Sequence, residues 1–196
     1  MPKIVVSEFL TLDGVMQAPG DPDEDRTGGF DRGGWQLQYF DDTFGAFVMD
    51  GFAAAGALLL GRLTYENFAR YWPNAAADDP IAGTMNGFRK YVVSTSLAEP
   101  LSWQNSSLIK GDVPAAIAQL KPGSGQDIQV IGSGQLVQTL IQHDLVDEYR
   151  LMVHPLVLGK GKRLFRDETA DTKLRLIDSK ATGTGVLLLT YVPAGT

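Results

Sequence analysis

The stretch Asp127-Ile128-Gln129-Val130-Ile131-Gly132-Ser133-Gly134-Gln135-Leu136 decides how this chain folds. Its first five residues read as a short strand and a glycine turn follows at once. Leu136, Val137, Leu140 and Ile141 then recur at helical spacing. Strand, glycine turn and helix N-terminus in that order are the repeating unit of an α/β sheet covered by helices. The same order occurs upstream. Ala57 to Leu60 is an all-apolar strand of the kind buried on both faces, and Gly61-Arg62-Leu63-Thr64 leads into a helix. Thr64 is expected as its N-cap, Leu63 and Phe68 as a hydrophobic staple, and Tyr65, Phe68, Ala69 and Trp72 as one face. Pro73 stops it.

The rest of the chain fits around these two units. Lys3 to Phe9 opens as a β-branched strand, whereas Leu10 to Tyr39 keeps no period and collects Gly, Pro and Asp. A loop of that length is more often functional than idle. A helix is predicted over Asp42 to Ala55, carrying Phe44, Phe47, Val48 and Phe52. Strands follow at Lys90 to Ser94 and Ser107 to Lys110. Asp112 and Pro114 then open a helix with Val113, Ile117 and Leu120 on one stripe. Val146 to Leu158 alternates as a long strand, followed by the loop Gly159-Lys160-Gly161-Lys162-Arg163. Leu174 to Ser179 and Val186 to Val192 read as an antiparallel pair turning near Gly183 and Gly185.

The 196 residues are 44% hydrophobic and 20% charged, proportions that fit one globular domain spanning 1–196. With no Cys, disulfide frameworks, thiolate zinc sites and cysteine nucleophiles are excluded. Two His leave no metal site without carboxylate help. A formal charge of −6 argues against a nucleic-acid surface. The longest apolar run, Phe52 to Leu60, is far below the roughly 20 residues of a membrane span. A cytoplasmic protein with no membrane or nucleic-acid partner is the expectation.

Gly132-Ser133-Gly134 gathers backbone N–H groups, a capping hydroxyl and a helix dipole at one point, which suits a phosphate. An ordinary tight turn capped by Ser133 explains it as well. Arg62, beside the Thr64 helix start, can grip a phosphate through two parallel N–H bonds or pair with a surface carboxylate. Two anion-suited helix starts in one sheet favour a molecule with several phosphates. Ser94-Thr95-Ser96 offers hydroxyls at a strand end without the carboxylate that would repel a 2′-phosphate, so a phosphorylated nicotinamide cofactor is favoured; turn capping is the other reading. His154, before Pro155, reads as a satisfied core histidine more readily than as a base, and His143 as a helix-end cation. The Asp21 to Asp25 and Asp41-Asp42 clusters match no EF-hand spacing. No Walker A, G-x-S-x-G or H-E-x-x-H motif occurs.

Taken in order, Leu12-Asp13-Gly14-Val15, Leu59 to Glu66, Tyr91-Val92-Val93-Ser94, Val130 to Gly134, Val146 to Leu151 and His154-Pro155 through Gly161 resemble the dihydrofolate reductase-like superfamily. The nearer resemblance is to the C-terminal reductase domain of the bifunctional riboflavin-biosynthesis deaminase/reductase and its free-standing relatives. It covers nearly the whole chain and implies an α/β fold: a mostly parallel mixed sheet of about eight strands flanked by helices, with antiparallel C-terminal strands, often dimeric, binding NADPH across the strand ends. It further implies that Gly61, Arg62, Thr64, Ser94 and Thr95 hold the adenosine side and that Gly132, Ser133, Gly134, Gln135 and Leu136 hold the pyrophosphate. The turn at Leu12 to Val15 would cover the nicotinamide, bringing Asp13 near substrate. Gly132-Ser133-Gly134 replaces the family's paired glycine, and no H-x-E with P-C-x-x-C deaminase set is present. Dihydrofolate reductase carries a pterin-binding carboxylate on its first helix, a role for which Asp41, Asp42 and Asp50 compete; Asp42 and Asp13 are the catalytic candidates.

The activity so implied is NADPH-dependent hydride transfer to a small heterocyclic or ribosyl substrate, resembling 5-amino-6-(5-phosphoribosylamino)uracil reductase. A pterin or folate reductase and a nucleotide-binding module without turnover are the alternatives. Pro155 within the long strand is expected to mark an open apolar edge, covered by a second copy in a homodimer or by the chain's own terminal hairpin.

Overall fold

Strand β1 (Ile4–Thr11) lies at the middle of an eight-stranded sheet, and the chain winds away from it first to one side and then to the other. The computed structural model describes residues 1–76, 78–123, 125–167, 169 and 171–195. After β1 come α1 (Asp42–Ala54), β2 (Ala55–Gly61), α2 (Arg62–Tyr71), α3 (Ala82–Gly87), β3 (Arg89–Val93) and β4 (Ser106–Ile109). The return half is α4 (Val113–Gly123), β5 (Asp127–Ile131), α5 (Gly134–Gln142), β6 (Glu148–His154), β7 (Leu174–Ala181) and β8 (Leu187–Pro193). The order across the sheet is β4-β3-β2-β5-β1-β6-β8-β7. Every pairing from β4 to β6 is parallel, and β8 is antiparallel to both β6 and β7. This is the mostly parallel dihydrofolate reductase-like arrangement with an antiparallel C-terminal pair.

Alternation along β2 sorts its side chains onto the two faces. Leu58 and Leu60 pack with Phe52 of α1, Tyr65 of α2, Met85 of α3 and Val92 of β3. Ala57 and Leu59 pack on the opposite side with Ile4, Val6, Ile128 and Val130, under Ile117 of α4 and Val137 and Leu140 of α5. Neighbouring β1 and β5 thus send their following helices to opposite faces. The crevice this opens at the C-terminal ends of the parallel strands is where α/β sheets bind ligands.

Two expectations need correction. The strand expected over Val146 to Leu158 is β6, Glu148–His154, and it ends before Pro155, whose ring cannot join a ladder. β6 is also no edge: it pairs with β1 on one side and β8 on the other, so the chain's own hairpin covers it and β7 is the outer strand. The irregular segment from Leu12 to Asp41 is packed. Val15, Ala18, Phe30 and Trp35 form a small buried cluster against Phe9, Leu156 and Leu158.

Candidate active site

The turns after β2 and β5 stand side by side because those strands are neighbours, with Leu59 opposite Val130. Ser133 joins them: its Oγ accepts from the Gly61 N–H at 2.7 Å and donates to Thr64 Oγ1 at 2.9 Å. Its hydroxyl is therefore spent between the turns and does not cap its own helix. Nor does Thr64 cap α2, contrary to expectation. That helix begins two residues earlier, at Arg62, behind Gly61, and has no side-chain cap. Two adjacent helix N-termini thus present first-turn amides and dipole ends without side-chain caps, the arrangement that attracts phosphate oxygens.

Glycine is required here for space as well as conformation. Gly132 has φ +62°, and a Cβ on it would lie 3.1 Å from Thr64 Oγ1. One on Gly61 would sit 3.2 Å from the Ser133 side chain. Ser133 itself is left-handed, φ 68°, a conformation of non-glycine residues that costs of order 1 kcal/mol and concentrates at ligand sites. Gly134 is less constrained, since a Cβ there would meet only the side-chain atoms Met16 Sδ at 3.1 Å and Arg166 Nη2 at 3.3 Å.

Gly61 faces Val93 in the β2–β3 ladder, so Arg62 and Ser94 leave adjacent strand ends. Arg62 is half exposed and pairs with Glu66 at 2.8 Å, a weak surface contact that a phosphate can displace. Ser94 Oγ accepts from the Ser96 and Leu97 amides at 3.2 and 3.1 Å, the turn-capping role; Thr95 is exposed. Gln135 is exposed on the first turn of α5, and Leu136 is buried beneath it.

Asp13 emerges from β1 on the other side of β5. Its carboxylate accepts from Thr11 Oγ1 at 2.6 Å and from the amides of Leu158 at 3.1 Å and Gly159 at 2.8 Å, and it lies 3.5 Å from Arg163. Burial works to raise its pKa, but the bonds from Thr11, Gly159 and Leu158 outweigh it and hold the group at about 2. Asp13 is thus an anchor tying the β1 turn to the 159–163 loop, and this geometry does not serve a proton donor. Asp42 is exposed in the first turn of α1, while Asp41 caps that helix through the Phe44 amide at 2.8 Å and holds the Gly183 amide at 2.8 Å. The first-helix carboxylates thus face solvent or the β7–β8 turn.

A group unremarked in the sequence is Glu8. It lies on β1 on the side of Val6 and Leu10, is only 3% exposed, and leaves Oε1 buried without a partner. Burial pushes its pKa well above the usual carboxylate range, the Gly132 amide opposes this and Glu24 adds to it, so the surroundings favour the protonated carboxyl. Glu24 is raised as well, by burial first. The only sequence signal was a lone acid interrupting an apolar strand.

A sequence model of the RibD C-terminal domain matches residues 2–188. The uncharacterized protein YyaP of Bacillus subtilis (strain 168) is 28% identical over 193 residues, which cover 96% of this chain and 94% of that protein. A Shewanella sp. PV-4 protein assigned to riboflavin biosynthesis shares the fold with a TM-score of 0.70 at 22% identity, over 98% of this chain and 99% of the other. A pyrimidine reductase-like protein from Corynebacterium diphtheriae gives 0.67 at 12% identity, over 100% and 93%.

Proposed function

Because the chain belongs to the RibD C-terminal domain family, we propose that it is an NADPH-dependent reductase of a small heterocyclic or ribosyl substrate. The observation that carries this reading is the pair of uncapped helix N-termini, α2 and α5, locked together by Ser133 at the crevice between oppositely wound halves of the sheet. Gly132 to Leu136 would hold the pyrophosphate, and Arg62 with Thr95 the 2′-phosphate side. When bound, the nicotinamide supplies a hydride to a C=N or C=O carbon, and the heteroatom takes a proton. The protein's part is positioning and exclusion of water. The burial that pushes Glu8, beside Gly132, toward its protonated form supports the same reading, since an ionised carboxylate there would oppose phosphate binding.

Asp41 is committed to capping and to Gly183, so the pterin alternative would need Asp42 or Asp50, both exposed on α1, as its carboxylate. For assembly, a homodimer joined along the outer strand β7, with its exposed Leu176 and Ile177, takes the place of the edge once expected at β6. Stopped-flow oxidation of NADPH against aminopyrimidine, pterin and small carbonyl compounds tests the activity. Turnover of an aminopyrimidine supports it; tight NADPH binding with no turnover of any compound contradicts it in favour of a binding module.

A further inference from the structure

His154 is the last residue of β6 and lies opposite Thr11, so its imidazole sits at the same end of the sheet as the glycine turn, beyond β1. It is fully buried. Nδ1 lies 2.9 Å from the Met152 carbonyl and 3.1 Å from the Leu10 carbonyl. Both oxygens only accept, so Nδ1 carries the hydrogen and Nε2 carries the lone pair. Nε2 is buried without a partner. The imidazole is thus half satisfied, unlike the core histidine the sequence suggests.

Four aromatic rings wall it. Phe9 of β1 and Phe44 of α1 stand 6.0 and 5.8 Å away, centroid to centroid; Trp35 and Tyr39, from the segment between β1 and α1, stand at 5.0 and 5.5 Å. All four meet the imidazole at steep angles, 61° to 85°. Two walls therefore belong to the framework and two to a loop that folds over it. No charged side chain is among these contacts, and burial keeps the imidazole neutral, which preserves the acceptor. A buried, unpaired polar atom in a native protein calls for an explanation, and a ligand donor is one.

We propose that His154 Nε2 is a specificity-determining acceptor for the substrate, taking an N–H or O–H donor of a planar heterocycle that stacks against Phe9 and Phe44 when Trp35 and Tyr39 give way. This rests on the reductase reading and adds to it the residue that selects the substrate ring by an N–H or O–H donor. A ring with its donors methylated binds more weakly, because it forgoes the hydrogen bond to Nε2 that a donor ring gains.

The test is NMR of the full chain with ¹⁵N-labelled imidazoles, titrated with 6-aminouracil, 2-aminopyrimidine and guanine and with the fully N-methylated form of 6-aminouracil, NADPH affinity being measured in the same samples. The expected result is an unprotonated Nε2 in the free protein whose resonance moves toward the hydrogen-bonded position with at least one donor ring and not with the methylated one. His154→Gln, which keeps an acceptor, should bind that ring within about threefold of the wild type, and His154→Phe at least tenfold more weakly, with NADPH affinity unchanged in both. A silent Nε2 with every donor ring, or an equal response to the methylated ring, overturns the proposal. Normal NADPH binding with a silent Nε2 defeats this inference alone, and a responding Nε2 without NADPH binding defeats the reductase reading instead.

Discussion

Replacing Asp13 by asparagine removes the charge that holds the β1 turn to the 159–163 loop, and its cost follows from the contacts. One carboxylate oxygen accepts from Thr11 Oγ1 and the Leu158 amide; the other accepts from the Gly159 amide and faces Arg163. Asparagine keeps the first oxygen but turns an NH2 toward a second N–H donor and a guanidinium. The carboxylate is held at about 2 against an ordinary 3.8. At about 1.4 kcal/mol per tenfold in proton affinity, this makes the charged form worth about 2 kcal/mol to the folded state. Because the folded-state value is depressed, that stability is fully present above pH 3.8 and is lost as the pH falls toward 2. Asp13→Asn should therefore lower the unfolding free energy at pH 7 by about 2 kcal/mol and Tm by roughly 4–8 °C. The gap to wild type should narrow between pH 4 and 2. Urea unfolding followed by tryptophan fluorescence across that range measures both. A loss at pH 7 below about 0.5 kcal/mol, or a gap independent of pH, would refute the anchor role.

Arg62→Ala should weaken NADPH binding by about 1.5–3 kcal/mol, the worth of a charge-assisted contact, and leave Tm nearly unchanged because the Glu66 pair is exposed; titration calorimetry and a melt measure the two effects. Gly132→Ala should lower Tm and cofactor affinity together, since it forces a side chain into the left-handed region and against Thr64; an unaffected melt would contradict this. Glu8→Gln, which imitates the protonated acid, should bind NADPH at least as well as the wild type, with the difference growing as the pH rises and the wild-type carboxyl ionises.

The two strand–glycine–helix units were legible because each places a short apolar run, a flexible residue and a periodic stripe in immediate succession, all local features. What was not legible depends on tertiary neighbours. Thr64 has the chemistry of an N-cap, yet its hydroxyl is taken by Ser133 in the turn after β5, and the helix starts at Arg62 instead. The apolar run beyond His154 looked like more strand; Leu156 and Leu158 in fact pack against the cluster of Val15 and Trp35, a core with no period to betray it. Whether β6 is an edge is a matter of pairing, which no single run reveals. The helix α3 escaped notice because Ala82 to Gly87 is short and carries two glycines. Lys90 gave no hint of burial, though its ammonium donates to the carbonyls of Asn86, Phe88 and Gln104 and lies 4.0 Å over Trp103. The burial that pushes Glu8 toward its protonated form comes from the core it shares with Val6 and Leu10, which the local sequence does not show.

The central claim is that the paired N-termini of α2 and α5 hold the phosphates of a nicotinamide dinucleotide. Amide chemical shifts, followed by ¹H–¹⁵N correlation spectra as NADPH is added, test it most directly. The largest changes are predicted at Gly61, Arg62 and Gly132 through Leu136, with Ser94 and Thr95 next. Saturation of the chain by NADPH with those amides unmoved, or with the largest changes elsewhere, would contradict it.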